Sequence, residues 1–146
     1  MGEKYADKLM SNNGFIIHQI EHKIKIKHDA SLEKHGVTLQ QSKIIAHLLL
    51  NKHLDTFQKD IEKAFNLKSS TITSILNTLE NKKLIKRISI KEDRRAKKIV
   101  LTESGENLQK NIFKSIESIE EELVKGMTEN EKDMLQKLLL IAYKNI

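Results

Sequence analysis

Ser69, Ser70, Thr71, Thr73, Ser74 and Asn77 are short hydrogen-bonding side chains on a segment whose apolar residues have helical spacing. Ile72, Ile75, Leu76 and Leu79 recur every three or four residues and mark the buried face of that helix. The opposite face, which also carries Thr78, offers donors and acceptors without bulk. A helix of this kind lies deep in a groove and reads base edges. Beyond it come Lys91, Asp93, Arg94, Arg95, Lys97 and Lys98, a mostly cationic cluster suited to phosphate oxygens. Each residue also has a plainer use. The Thr71 and Thr73 hydroxyls can bond back to carbonyls of the preceding turn. Asp93 can serve only as a turn former, and Arg94 can be a solvated surface charge.

Placing these groups side by side requires a particular set of elements. Residues 12–35 are expected to form the first helix, with Phe15, Ile16, Ile20 and Ile24 on one face and Gly36 as a left-handed cap. Thr38 with Gln41 makes a capping box for a second helix, where Ile44, Ile45, Leu48 and Leu49 face inward. Asp55 or Thr56 is expected to cap a short third helix carrying Phe57, Ile61, Ala64 and Phe65. Asn66-Leu67-Lys68 has the length of the turn in a helix-turn-helix unit, and the polar-faced helix follows from about Ser69 to about Lys82. Residues 84–90 and 96–101 read as strands around a charged tip, so the cationic cluster sits on a hairpin. Thr102 is a natural N-cap for a fifth helix with Leu108, Ile112, Ile116, Ile119 and Leu123, which Gly126 breaks. Thr128 with Glu131 opens a last helix bearing Met134, Leu135, Leu138, Leu139 and Ala142.

The expected fold is mainly α with a small antiparallel β hairpin. A winged helix-turn-helix occupies residues 38–101, flanked by helical regions at 1–35 and 103–146. The outer helices carry apolar stripes that the small central unit cannot cover, and a second copy in a two-fold dimer is the simplest cover.

Composition narrows the partner. The 146 residues carry a net charge of +6, and the pI of about 9.4 favours a polyanion. Cysteine is absent, which excludes disulfides, a thiol switch and cysteine-ligated zinc. No apolar run approaches the roughly 18 residues of a membrane span, and the N-terminus lacks a signal-peptide pattern. A soluble cytoplasmic protein is expected.

The segment Asp93-Arg94-Arg95-Ala96-Lys97-Lys98-Ile99-Val100-Leu101-Thr102-Glu103-Ser104-Gly105 resembles the wing signature of the MarR family of bacterial transcription regulators. Thr71-Ile72-Thr73 with Leu79-Glu80-Asn81-Lys82-Lys83-Leu84-Ile85 resembles that family's recognition helix and its exit. The resemblance extends over residues 12–145. It implies a homodimer on a pseudo-palindromic double-stranded operator, expected to act as a repressor, with a small aromatic or phenolic effector as an open possibility. It implies that Arg95 enters the minor groove and that Asp93 shapes the wing. A narrow A·T-rich minor groove concentrates negative potential and favours such a guanidinium. Lys91, Arg94, Lys97 and Lys98 are then phosphate contacts. One departure is Ser74, where many relatives carry a basic residue. Direct guanine reading by an arginine is absent at that position, and more of the specificity falls to Thr73, Asn77 and groove shape. Asn77 is a candidate for an adenine edge.

Two other functions stay open. One is a winged-helix protein-interaction module, which would call for aromatic or large apolar anchors on the helix face. The other is a sequence-neutral DNA-binding protein. His18 and His22 have the i, i+4 spacing of a metal pair, yet no histidine follows His53, and plain surface histidines are the expectation. No Gly-rich phosphate loop or nucleophile elbow is present, so neither an enzyme nor a cofactor is expected.

Overall fold

The computed structural model describes residues 2–93 and 95–146, with side chains from Tyr5 onward. In chain order the elements are α1 (Gly2–Met10), α2 (Asn13–Lys34), α3 (Leu39–Leu50), α4 (Gln58–Phe65), α5 (Ser69–Asn81), β1 (Ile85–Ser89), β2 (Lys97–Leu101), α6 (Glu103–Leu123) and α7 (Glu129–Asn145). The mainly helical class with one small hairpin is as the sequence implies. Helix α1 lies ahead of the helix expected from residue 12, within the helical region expected over residues 1–35, and carries Tyr5, Ala6, Leu9 and Met10 at helical spacing. Asn12 then caps α2, its side chain accepting the Phe15 N–H at 2.9 Å.

The helix ends follow local chemistry. Thr38 and Gln41 form the reciprocal capping box of α3, and Thr128 and Glu131 that of α7. Gly36, at φ +68°, ends α2. The Val37 N–H then reaches the Leu32 carbonyl and the Gly36 N–H reaches Glu33, a Schellman closure with Leu32 and Val37 both buried. The exit of α5 closes in the same way, with the Leu84 N–H on the Leu79 carbonyl, but Lys83 holds the left-handed position at φ +59°.

The cap expected at Asp55 or Thr56 is a correction. Helix α4 starts after Phe57, whose N–H is accepted by the Asp60 carboxylate at 2.8 Å. Strand β2 has drawn both candidates away. The Thr56 carbonyl accepts the Ile99 N–H at 2.8 Å, and Asp55 pairs with Lys98. Phe57 also forms a β-bridge with Lys98, so the chain ahead of α4 lies along the outer edge of β2.

The core sits under the hairpin, among α3, α4, α5 and α6. Ile44, Ile45, Ile61, Ile72, Leu76, Leu79 and Ile112 are fully buried, with Ile85 and Ile99 from the two strands. Each such side chain contributes about 1.5–3 kcal/mol by leaving water. The hairpin is antiparallel, with Ile85 opposite Leu101 and Arg87 opposite Ile99. Helix α7 buries no residue, and Met134, Leu138, Leu139, Leu140 and Ile141 are exposed.

One close approach locks the hairpin to α6. The Thr102 N–H donates to the Leu84 carbonyl at 3.1 Å, and its hydroxyl donates to the Lys83 carbonyl at 2.7 Å. The same hydroxyl oxygen accepts the Gly105 N–H at 3.0 Å. A Cβ at Gly105 would lie 2.1 Å from the Leu84 carbonyl oxygen. We expect Gly105→Ala to destabilise the chain by about 2–3 kcal/mol or more, as overpacking against backbone does. A urea melt within error of wild type would refute that reading of the junction.

Lys52 and Lys110 both reach the Glu106 carboxylate, at 2.7 and 2.9 Å, and hold it down at about 2. Depression of a carboxyl means that the pair's stabilisation is full above the ordinary glutamate value and lost as pH falls through about 2. Glu106→Gln should therefore flatten the acid limb of stability between roughly pH 4.5 and pH 2, measured by thermal melts across that window.

Candidate nucleic-acid interface

Helix α5 sorts its side chains as its period requires. Ile72, Leu76 and Leu79 are fully buried. Ser69, Ser70, Thr71, Ser74 and Asn77 are exposed, with Thr73 half-buried at the edge facing α4. No aromatic or large apolar side chain interrupts the exposed face. The back-bond considered for Thr71 or Thr73 is made instead by Thr78, whose hydroxyl donates to the Ser74 carbonyl at 3.1 Å.

Two residues that the sequence did not single out hold this face. Gln58, at the start of α4, donates from Nε2 to the Thr73 hydroxyl oxygen at 2.8 Å and to Glu62 at 3.0 Å. Arg87, on β1, donates from Nη2 to Asn77 Oδ1 in a short hydrogen bond. Its Nε lies 3.4 Å from Glu80 Oε2, an ion pair without hydrogen-bond alignment, and its side chain is only 19% exposed. A faint signal for Arg87 exists in the sequence. It shares the strand parity of buried Ile85, where a charge needs a partner. Gln58 carries no such signal.

The wing completes the surface. Asp93 Oδ1 accepts the Arg95 N–H at 2.9 Å, and the Asp93 carbonyl accepts the Ala96 N–H at 3.2 Å. Asp93 therefore builds the turn that presents Arg95. Lys91, Arg95 and Lys97 are exposed. Lys98 is partly withdrawn, its charge met by Asp55. The expected phosphate contact at Arg94 lies outside the described residues. An open groove of about 590 Å³ runs between the wing and α4 and reaches α5 at Ser69, with Gln58, Asp60, Glu62, Arg87, Arg95 and Lys97 in its lining. Cations and small polar groups thus meet along one edge of the molecule. His18 and His22 lie apart from it, exposed on α2.

Comparison with known proteins decides the family. Residues 35–96 match the model of the MarR family. The HTH-type transcriptional repressor MdtR of Bacillus subtilis is 32% identical over 133 residues, spanning 91% of this chain and 83% of that protein. The chain belongs to the MarR family. Among solved structures, a DNA complex of MepR from S. aureus is similar at 30% identity and a TM-score of 0.82, covering 90% of this chain and 98% of that one. A putative MarR family transcriptional regulator from Clostridium acetobutylicum is similar at 28% identity and a TM-score of 0.80, covering 91% and 97%. MepR bound to ethidium bromide is similar at 29% identity and a TM-score of 0.77, covering 92% and 96%. This MarR chain is therefore a transcription regulator by family, with the winged-helix fold. The family's members are regulators rather than enzymes. No helix of the described residues is long and apolar enough to cross a membrane.

The turn at the wing tip can be tested directly. Asp93→Ala should cost only about 0.5–1 kcal/mol of global stability, the value of one exposed hydrogen bond. It should speed hydrogen exchange at the Arg95 amide severalfold. An unchanged exchange rate there would remove Asp93 from the role of turn builder.

Proposed function

We propose that this chain is a homodimeric repressor of the MarR family that binds a pseudo-palindromic operator, with α5 in the major groove and the wing in the flanking minor groove. The observation that carries the reading is the exposed face of α5. It bears Ser70, Thr71, Ser74 and Asn77, has no apolar anchor, and lies beside exposed Lys91, Arg95 and Lys97. A protein-docking face would call for aromatic or aliphatic anchors. The likeness to MepR, whose structure includes DNA, supports a DNA partner.

Residues 38–101 form the DNA-binding unit in this reading, and residues 1–35 with 103–146 the dimerisation region. The exposed apolar residues of α7, with Ile17, Ile20 and Ile26 of α2, are the surface that a second copy covers. Arg95 inserts into the minor groove, while Lys91, Arg94, Lys97 and Lys98 bind phosphates. Release by a small aromatic or phenolic effector belongs to the same proposal. Operator affinity that stays unchanged across a panel of aromatic ligands would count against that part.

The decisive experiment is selection of bound duplexes from a random pool at near-physiological salt. An inverted repeat with half-sites about 10 bp apart, centre to centre, is expected. Enrichment without an inverted repeat would sink the dimeric reading, and equal affinity for selected and random duplexes would make this a sequence-neutral binder. On the selected operator, Arg95→Ala should lose about 1–3 kcal/mol of binding. Wild-type affinity in that variant would refute the wing assignment.

A further inference from the structure

Asn77 is exposed at the centre of the α5 face, and a free amide there would offer both an acceptor and a pair of donors. That combination matches adenine, which presents N7 as acceptor and its N6 amino group as donor. The acceptor, however, is already engaged. Arg87 Nη2 donates to Asn77 Oδ1. A guanidinium has donors only, so the amide must turn its oxygen toward Arg87 and its NH2 outward. Arg87 is in turn held beside Glu80, with most of its side chain covered, on the strand face it shares with buried Ile85.

Thr73 shows the same bias from a different neighbour. Its hydroxyl oxygen accepts from Gln58 Nε2, and that amide nitrogen also faces the Glu62 carboxylate, an acceptor. The Gln58 amide is thus oriented as firmly as that of Asn77. The Thr73 hydroxyl, with one of its two acceptor lone pairs occupied, keeps its hydrogen to give and is a weaker acceptor than a free hydroxyl. Two residues on neighbouring elements therefore leave α5 with outward donors.

We propose that Arg87 and Gln58 are positioning residues that make the reading face of α5 a hydrogen-bond donor surface, so that Asn77 selects the acceptor-only guanine edge, N7 and O6, over adenine. The inference rests on the DNA-binding reading above. It removes adenine as the partner of Asn77 and supplies guanine recognition that Ser74 does not.

The test uses the full-length protein and the selected operator. Asn77→Ala first identifies the base position it reads, as the one whose preference it abolishes. Wild type should prefer guanine over adenine there by about tenfold or more, as a good two-point base contact gives. Replacing that guanine by 7-deazaguanine, which lacks the N7 acceptor, should weaken wild-type binding severalfold. Arg87→Met frees Oδ1 and should shift the preference at that one position toward adenine, with the salt dependence of binding unchanged. Asn77→Asp keeps an acceptor for Arg87 but has nothing to donate, and should lose the guanine preference while retaining the wild-type melting temperature.

Adenine preferred by wild type at the Asn77 position would overturn the proposal. So would guanine preference that survives Asn77→Asp. A uniform loss of affinity in Arg87→Met, with the salt slope reduced by about one, would make Arg87 a phosphate contact instead. A random-pool selection that enriches nothing would instead fell the sequence-specific operator reading, and this inference with it. An enriched operator with the wrong base at this position fells the inference alone.

Discussion

The carbonyl of Leu84 is the point on which the geometry of this molecule turns. It receives the Thr102 N–H, and the first turn of α6 passes so close that only a hydrogen at Gly105 fits against it. The exit of α5, the start of β1, the end of β2 and the start of α6 all meet there. The direction in which α5 leaves the core and the direction in which the hairpin projects are therefore set by the same few atoms. A side chain at residue 105 would push on backbone, which cannot swing aside as a flexible side chain can. The polar face of α5 and the cationic wing owe their common edge to that contact.

A second layer of constraint operates through side chains. The exposed face of α5 consists of short groups with little intrinsic direction, and Gln58 and Arg87 hydrogen-bond two of them, Thr73 and Asn77. Glu80 holds Arg87 near Asn77, and Glu62 faces the amide of Gln58. Glu80 is itself exposed on α5, and Glu62 lines the groove beside Ser69. Charge balance within the protein thus shapes what the surface offers outward, at a site where net positive charge alone would favour any polyanion.

Much of this was legible in the sequence because its causes are local. Capping boxes at Thr38 and Thr128, the left-handed Gly36 and the helical period of α5 all lie within a few residues of their partners. The polar face of α5 followed from that period alone. The start of α4 was not legible, because Asp55 and Thr56 are taken by β2, more than 40 positions along the chain. The roles of Gln58 and Arg87 were hidden for the same reason. Their partners lie 15 and 10 positions away and meet them only once three elements have packed. Helix α1 is only nine residues long, so its apolar face of Tyr5, Ala6, Leu9 and Met10 is a short signal. The stripe of α7 was visible as a pattern, but a pattern does not name what covers it.

The residues just ahead of α4 pair with the outer edge of β2, and Gln58, one position further on, grips α5. The base of the wing and α5 are consequently tied to one another through the start of α4. The contact of Gly105 with the Leu84 carbonyl ties the start of α6 to the same block, so a displacement of α5 or of the hairpin base carries the other and the first turn of α6 with it. If α5 and the wing occupy neighbouring grooves as proposed, such a displacement would take both out of register at once.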